Sequence, residues 1–295
     1  MRTRSRVRAL AAAAVLAVAA AVVPAGAAAA TPLLVCDDGR TLAHQRIVGD
    51  VRLESQGCTI DTTTITGDLV IATGYLPSTW VQPDIEHSMI KGDVVLTSGT
   101  GATFVDTSVL GGVRLNHAVY LGFDGYVRHS VRGDAYGSSL RGRVEGAVNI
   151  TTFPLLEAPP WVDLDGVHVG GWVNLVGGYH QVQSSRLDRG LTSKDATAGV
   201  AICSSSIAAD VLVTRAHARV GLGGTEPRPE PEFCDVPSDG PVTIGGSLSL
   251  IDNRHSVFLM LVTVAGDLVC TGNTGPRGVD SSGATVGGTR SGQCA

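Results

Sequence analysis

Lysine is nearly missing from this 295-residue chain, in which Lys91 and Lys194 are the only two. Lysine and arginine together number 22 against 27 acidic residues, for a formal charge of −5. Four arginines (Arg2, Arg4, Arg6 and Arg8) lie in the first 30 residues; without that segment the basic residues fall from 22 to 18 and the charge goes to about −9. A chain this acidic, with no basic cluster, is a poor partner for nucleic acid or an anionic membrane surface. Chemical signatures are missing too. There is no Cys-x-x-Cys, which argues against a zinc ribbon. Nor is there a Gly-x-Ser-x-Gly, a lysine-bearing phosphate loop or a His-Glu-x-x-His, which removes the common marks of serine hydrolases, nucleotide hydrolases and zinc peptidases. No long apolar run follows residue 30, so no membrane span is expected.

What is present begins with an export signal over residues 1–30: the four arginines, an apolar stretch from Ala9 to Val23, and a small-residue cleavage zone from Pro24 to Ala30. Secretion to the extracellular space follows from it. Leu33, Leu34, Val35, Cys36 has the look of a lipoprotein signal, but a bulky Val precedes the cysteine, and Cys36 is read as a disulfide cysteine.

A seven-residue phrase then recurs: apolar, any, Gly, Asp or a substitute, apolar, any, apolar. Ile65 to Ile71 is its clearest copy. Good copies begin at Ile47, Ile90, Val109, Val144, Val169, Ile244 and Val264, and weaker ones at Val131, Leu187 and Ile207. The closing apolar–variable–apolar triplet has the period of a strand with one buried face. The Gly suits a bend, and the Asp a turn where it accepts local backbone N–H groups. A period near twenty residues with short strands is the sign of a solenoid whose coils bury their inner faces by stacking. Sandwiches and propellers also use many short strands, but the matched hairpins and forty-residue blades they need are not evident. The expected fold is therefore all-β, a parallel β-helix (β-solenoid) of about eleven coils, roughly 50 Å long at ~4.8 Å per coil.

The organisation expected is a cap segment at 31–46, a solenoid over 47–270 with loops at 75–85, 153–162 and 221–241, and a hydrophilic, irregular cap or tail at 271–295. Six cysteines in an exported chain predict disulfides. Of the fifteen pairings, sequential ones suit a solenoid, where neighbours in sequence are neighbours in space: Cys36 with Cys58, Cys203 with Cys234, and Cys270 with Cys294, so that both ends are tied.

Two tryptophan-bearing loops carry the candidate chemistry. Trp80 is followed by Asp84, Glu86 and His87; Trp161 is followed by Asp163, Asp165 and His168. In an extended segment i and i+2 share a face, so each carboxylate pair projects together near an aromatic plate. That suits a sugar site, with Trp80 and Trp161 as glycan contacts. The carboxylates would divide into acid and base, or hold Ca²⁺ against an acidic polysaccharide. A solvated outer face, with each Trp packing its own loop, accounts for the same residues. Asp163 to Gly166 holds only a fragment of a calcium loop, so no metal site is assigned. His117, His180, His217 and His255 fall in similar places after a phrase, which suggests a column at one corner.

Through units such as Ile47 to Leu53 and Ile90 to Leu96, the chain resembles exported bacterial right-handed β-helix proteins of unassigned function. The closing Cys270, Thr271, Gly272, Asn273 through Gly292, Gln293, Cys294 is similar to the cysteine-bounded tail of that group. Gly-punctuated apolar units also resemble those of bactofilins, from which the export signal and cysteine-bounded ends depart. The resemblance implies fold alone. The function expected is a secreted, non-catalytic structural, surface-associated or glycan-binding solenoid; the alternative is a polysaccharide lyase or glycoside hydrolase of β-helix type.

Overall fold

The computed structural model describes residues 33–37, 39–55, 57–73, 82–155, 158–224 and 240–295. Among them every regular element is a strand, and the strands pair in parallel into a β-solenoid of about 12 turns. At ~4.8 Å per turn the stack is roughly 58 Å long. The expected 1–30 signal and the larger part of the 221–241 loop lie outside the described residues. No helix among the described residues is long and apolar enough to cross a membrane.

Each turn has three faces. On the first, Val51, Leu69, Val94, Val113, Val131 and Val148 follow one another in register from coil to coil. On the second, Ile60, Ile85, Phe104, Phe123, Leu140 and Leu164 do the same. The third face carries the first residue of the phrase: Ile47, Ile65, Ile90, Val109, Val127, Val144, Val169, Leu187, Ile207, Ile244, Val264 and Val286. Nearly all of these side chains are buried in one continuous core. Each contributes on the order of 1.5–3 kcal/mol by leaving water.

That third-face column corrects the repeat in two places. The copy expected at Val131 starts at Val127 instead, because Val131 pairs with Val113 on the first face. A further copy at Val286 accounts for the extra turn. It lies in the segment whose hydrophilic composition suggested an irregular tail, yet Val279–Asp280, Ala284–Val286 and Arg290–Gly292 continue all three faces. At the other end, Leu33–Cys36 already pairs with Asp50–Leu53.

The phrase's Gly and Asp act between coils rather than within one. The Asp50 carboxylate accepts the Asp68 backbone N–H at 2.8 Å, Asp68 accepts that of Asp93, and Asp93 that of Gly112. Asp210, Ser247 and Asp267 repeat the pattern toward the C-terminal end. A Cβ on Gly67 would overlap the Asp50 carboxylate oxygen, and one on Gly92 that of Asp68. Glycine is required there for close approach, not for a left-handed backbone.

The corner between second and third faces is built differently. His44, Thr62, His87, Asp106, Ser184 and Ser204 all hold positive φ, near 50°. This costs roughly 1–2 kcal/mol per non-glycine residue. The residue that follows is a buried hydroxyl in Thr63, Ser88, Thr107, Ser185 and Ser205. Each donates to a carbonyl of its own or the preceding coil, and Ser88, Thr107, Ser185 and Ser205 also accept an N–H from that preceding coil.

Cys36–Cys58 and Cys270–Cys294 form the expected disulfides near the two ends. Cys203 is also disulfide-bonded; its expected partner Cys234 lies outside the described residues.

Candidate functional site

Register decides which of the predicted residues meet. On the outward side of the second face, Asp84, Thr103, Gly122, Ser139, Asp163 and Gln181 form one column. Both carboxylate pairs therefore stand on the same face of the solenoid. They are four coils apart, about 19 Å at ~4.8 Å per coil, which is beyond the ~10 Å over which two carboxylates can act on one glycosidic bond. Asp84/Glu86 and Asp163/Asp165 belong to separate surroundings.

Around Asp163 the surface is built from residues two positions apart on neighbouring strands. Gly101, Tyr120, Gly137, Trp161, Tyr179 and Gly199 are successive register partners, so glycines flank Tyr120 on both sides and bound the adjacent Trp161 and Tyr179. The Trp161 ring lies against Gly137, where a Cβ would come within 3.1 Å of its Cε2. Tyr120 folds over Gly122 in the same way, its hydroxyl 2.8 Å from where a Cβ would stand. The two rings meet at 6.0 Å between centroids, tilted by 52°. Trp161 opens the strand Trp161–Val169 and is not a loop residue, so it is fixed by the sheet rather than by the 153–162 segment. That segment is itself held down where Tyr136 donates to the Ala158 carbonyl at 2.8 Å and Phe153 packs on His117.

Beside the rings, Arg141 pairs with Asp165 at 2.7 Å. Asp163, next in line, has a buried Oδ1 with no hydrogen-bond partner among the described residues. Burial, reinforced by the Asp165 charge and only partly offset by Arg141, raises its pKa to about 6. The Tyr120 hydroxyl is raised as well, first by burial and then by Asp163. The patch thus offers an aromatic platform, a carboxyl that gains a proton just below neutrality, and an ion pair within one stretch of sheet. Tyr120 and Arg141 escaped the sequence reading because nothing near them in the chain marks them. Only the coil register, which depends on placing the Val127 copy correctly, brings them to Trp161.

The first carboxylate pair sits otherwise. Asp84 is raised by burial and by Glu86. Glu86 is in register with Asp61, and Asp61, Glu86 and His87 present ligand atoms within 4.8 Å of one another. These three could hold a cation in common, a grouping hidden from sequence because Asp61 is one coil away. Trp80 lies outside the described residues. The Asp163–Gly166 fragment lies within the strand Trp161–Val169. The suggested histidine column does not form: His180 points into the core, fully buried against Ser193, while His117, His217 and His255 are exposed at a corner.

No family model, curated protein or solved structure matches this chain; the resemblance to bactofilins and to exported β-helix proteins finds no support there, and what stands is the parallel β-solenoid itself.

Proposed function

We propose that this protein is exported and binds an extracellular glycan, without catalysis, through the second-face patch of Tyr120, Arg141, Trp161, Asp163 and Asp165. The observation that carries the reading is the meeting of Tyr120 and Trp161 over a surface cleared by Gly122 and Gly137. Two rings held against the sheet and tilted toward each other, with charged hydrogen-bonding groups at their edge, suit the apolar face and hydroxyl rim of a sugar. The arginine-led apolar start of the chain and the paired cysteines support export. The experiment is a glycan-array binding measurement on the purified protein and on Trp161→Ala. The reading requires retained glycans to be lost by the variant.

A second reading, a glycoside hydrolase or polysaccharide lyase, is favoured by one feature. Asp163 holds a proton up to about pH 6 beside Asp165, which is ion-paired to Arg141, the division of labour that acid–base cleavage uses. Turnover of any array-positive polysaccharide, abolished in Asp163→Asn, would replace the binding reading with this one.

A further inference from the structure

The inter-coil ladder of the phrase has a vacancy. In the coil that begins at Val109, Gly112 stands where Asp50, Asp68 and Asp93 stand in earlier coils. Gly112 receives the cap from Asp93 but has no side chain with which to cap the next coil. The backbone N–H of Ser130, the group that cap would serve, has no hydrogen bond among the described residues. The ladder resumes at once, the Ser130 hydroxyl accepting the Ala147 N–H at 3.1 Å.

The vacancy is a cleft of about 200 Å³ lined by Asp93, Gly112, Arg114, His129, Ser130 and Arg132. Arg114 and Arg132 are register partners on adjacent coils, so two guanidinium-bearing side chains leave the sheet side by side. Like charges directly opposite each other are unfavourable unless something between them is negative. Arg114 is paired with Asp93, whereas Arg132 has no ion pair or hydrogen bond among the described residues. Later gaps in the ladder, at Ala147, Trp172 and Gly190, lack such an arginine pair: the first-face partners there are Asn149 with Asn174, Asn174 with Thr192, then Thr192 with Leu212.

We infer that this cleft binds an oxyanion, a sulfate, phosphate or carboxylate group, whose oxygen takes the place of the missing aspartate carboxylate. One oxygen accepts the Ser130 N–H; the others face Arg132 and Arg114, with His129 at the rim. Guanidinium groups and a free backbone N–H are the donors that such a group selects. The site lies on the first face and its adjoining corner, away from Tyr120 and Trp161, and does not depend on the glycan reading.

The test follows the Ser130 amide resonance by NMR during titration with sodium sulfate, phosphate and acetate, with chloride holding ionic strength constant. The expected result is a saturable shift with at least one oxyanion, weakened tenfold or more in Arg132→Gln and unaltered in Trp161→Ala. Arg132 is exposed, so the variant keeps its fold. A parallel titration with a monosulfated disaccharide identifies the source: tighter binding than inorganic sulfate means the group is carried on a glycan, and equal binding means the free ion. No saturable shift with any of the three anions, or an equal response in Arg132→Gln, would overturn the proposal.

Discussion

Tyr120 and Trp161 begin two coils apart in the stack, yet their rings meet at 6.0 Å because the residue between them in register is Gly137. A Cβ at 137 would press on the Trp161 indole, 3.1 Å from its Cε2 and Nε1. Gly137→Val is therefore expected to push Trp161 off the sheet, change its fluorescence and weaken glycan binding at least tenfold while the β-sheet circular dichroism is kept. A variant with unchanged fluorescence and binding would show that the bare backbone at 137 has no part in shaping the platform.

The fold was largely legible in the sequence because its signal is redundant. Eleven apolar positions at the start of the phrase, spaced about one coil apart, mark the solenoid even when one copy is placed four residues late at Val131 in place of Val127. The disulfides at both ends were also accessible, since coil neighbours are sequence neighbours. The site was only half legible. Asp163, Asp165 and Trp161 stand on one strand and announce themselves by i+2 spacing, but Tyr120 and Arg141 reach them through register. A small error in register would send those side chains to the wrong face. The tail from Thr271 looked irregular because its strands are short and carry small polar residues. Its order comes from side-chain ladders such as Asn253 to Asn273 to Gln293, which composition does not display.

The ladder account predicts a particular failure at Gly67. Gly67→Ala places a methyl on the Asp50 carboxylate oxygen and also against the carbonyl carbon of Gly49, 2.6 Å away. A loss of about 2–4 kcal/mol in chemical denaturation is expected, within the usual range for forced overpacking and backbone displacement. Because the Gly49 backbone blocks the site too, Asp50→Ala in the same chain should not restore stability. Full restoration would mean the carboxylate alone excludes the methyl.

Asp163 and His180 titrate over overlapping ranges with opposite effects on stability. The Asp163 carboxyl is raised by burial and Asp165 to about 6, so it favours folding while protonated and costs stability as pH rises from about 4 to 6. His180, lowered by burial to about 4, is neutral when folded; its contribution is lost as pH falls from about 6.5 to 4. Asp163→Asn should match the parent below about pH 4 and exceed it by roughly 1–2 kcal/mol above pH 6.5, after discount for the part of the carboxyl open to solvent. Denaturation midpoints of the two proteins across pH 3.5–7.5 provide the comparison. A difference that does not change with pH would contradict the assignment of Asp163.

The end disulfides hold the coils most open to fraying. Cys36→Ser/Cys58→Ser and Cys270→Ser/Cys294→Ser are each expected to lose about 2–4 kcal/mol. Hydrogen exchange should locate the extra opening in the terminal coil next to each lost bridge, leaving the strands around Phe104 and Leu140 protected. Uniform loss of protection along the whole stack would show that the bridges act on global stability and not on the ends.

The central claim is that the second face recognises a sugar through Trp161. A glycan array probed with the purified protein, followed by titration of each retained glycan against the parent and Trp161→Ala at equal folded fraction, addresses it most directly. The account predicts saturable binding to at least one glycan, weakened tenfold or more by Trp161→Ala. Absence of any retained glycan, or equal affinity in Trp161→Ala, would contradict it.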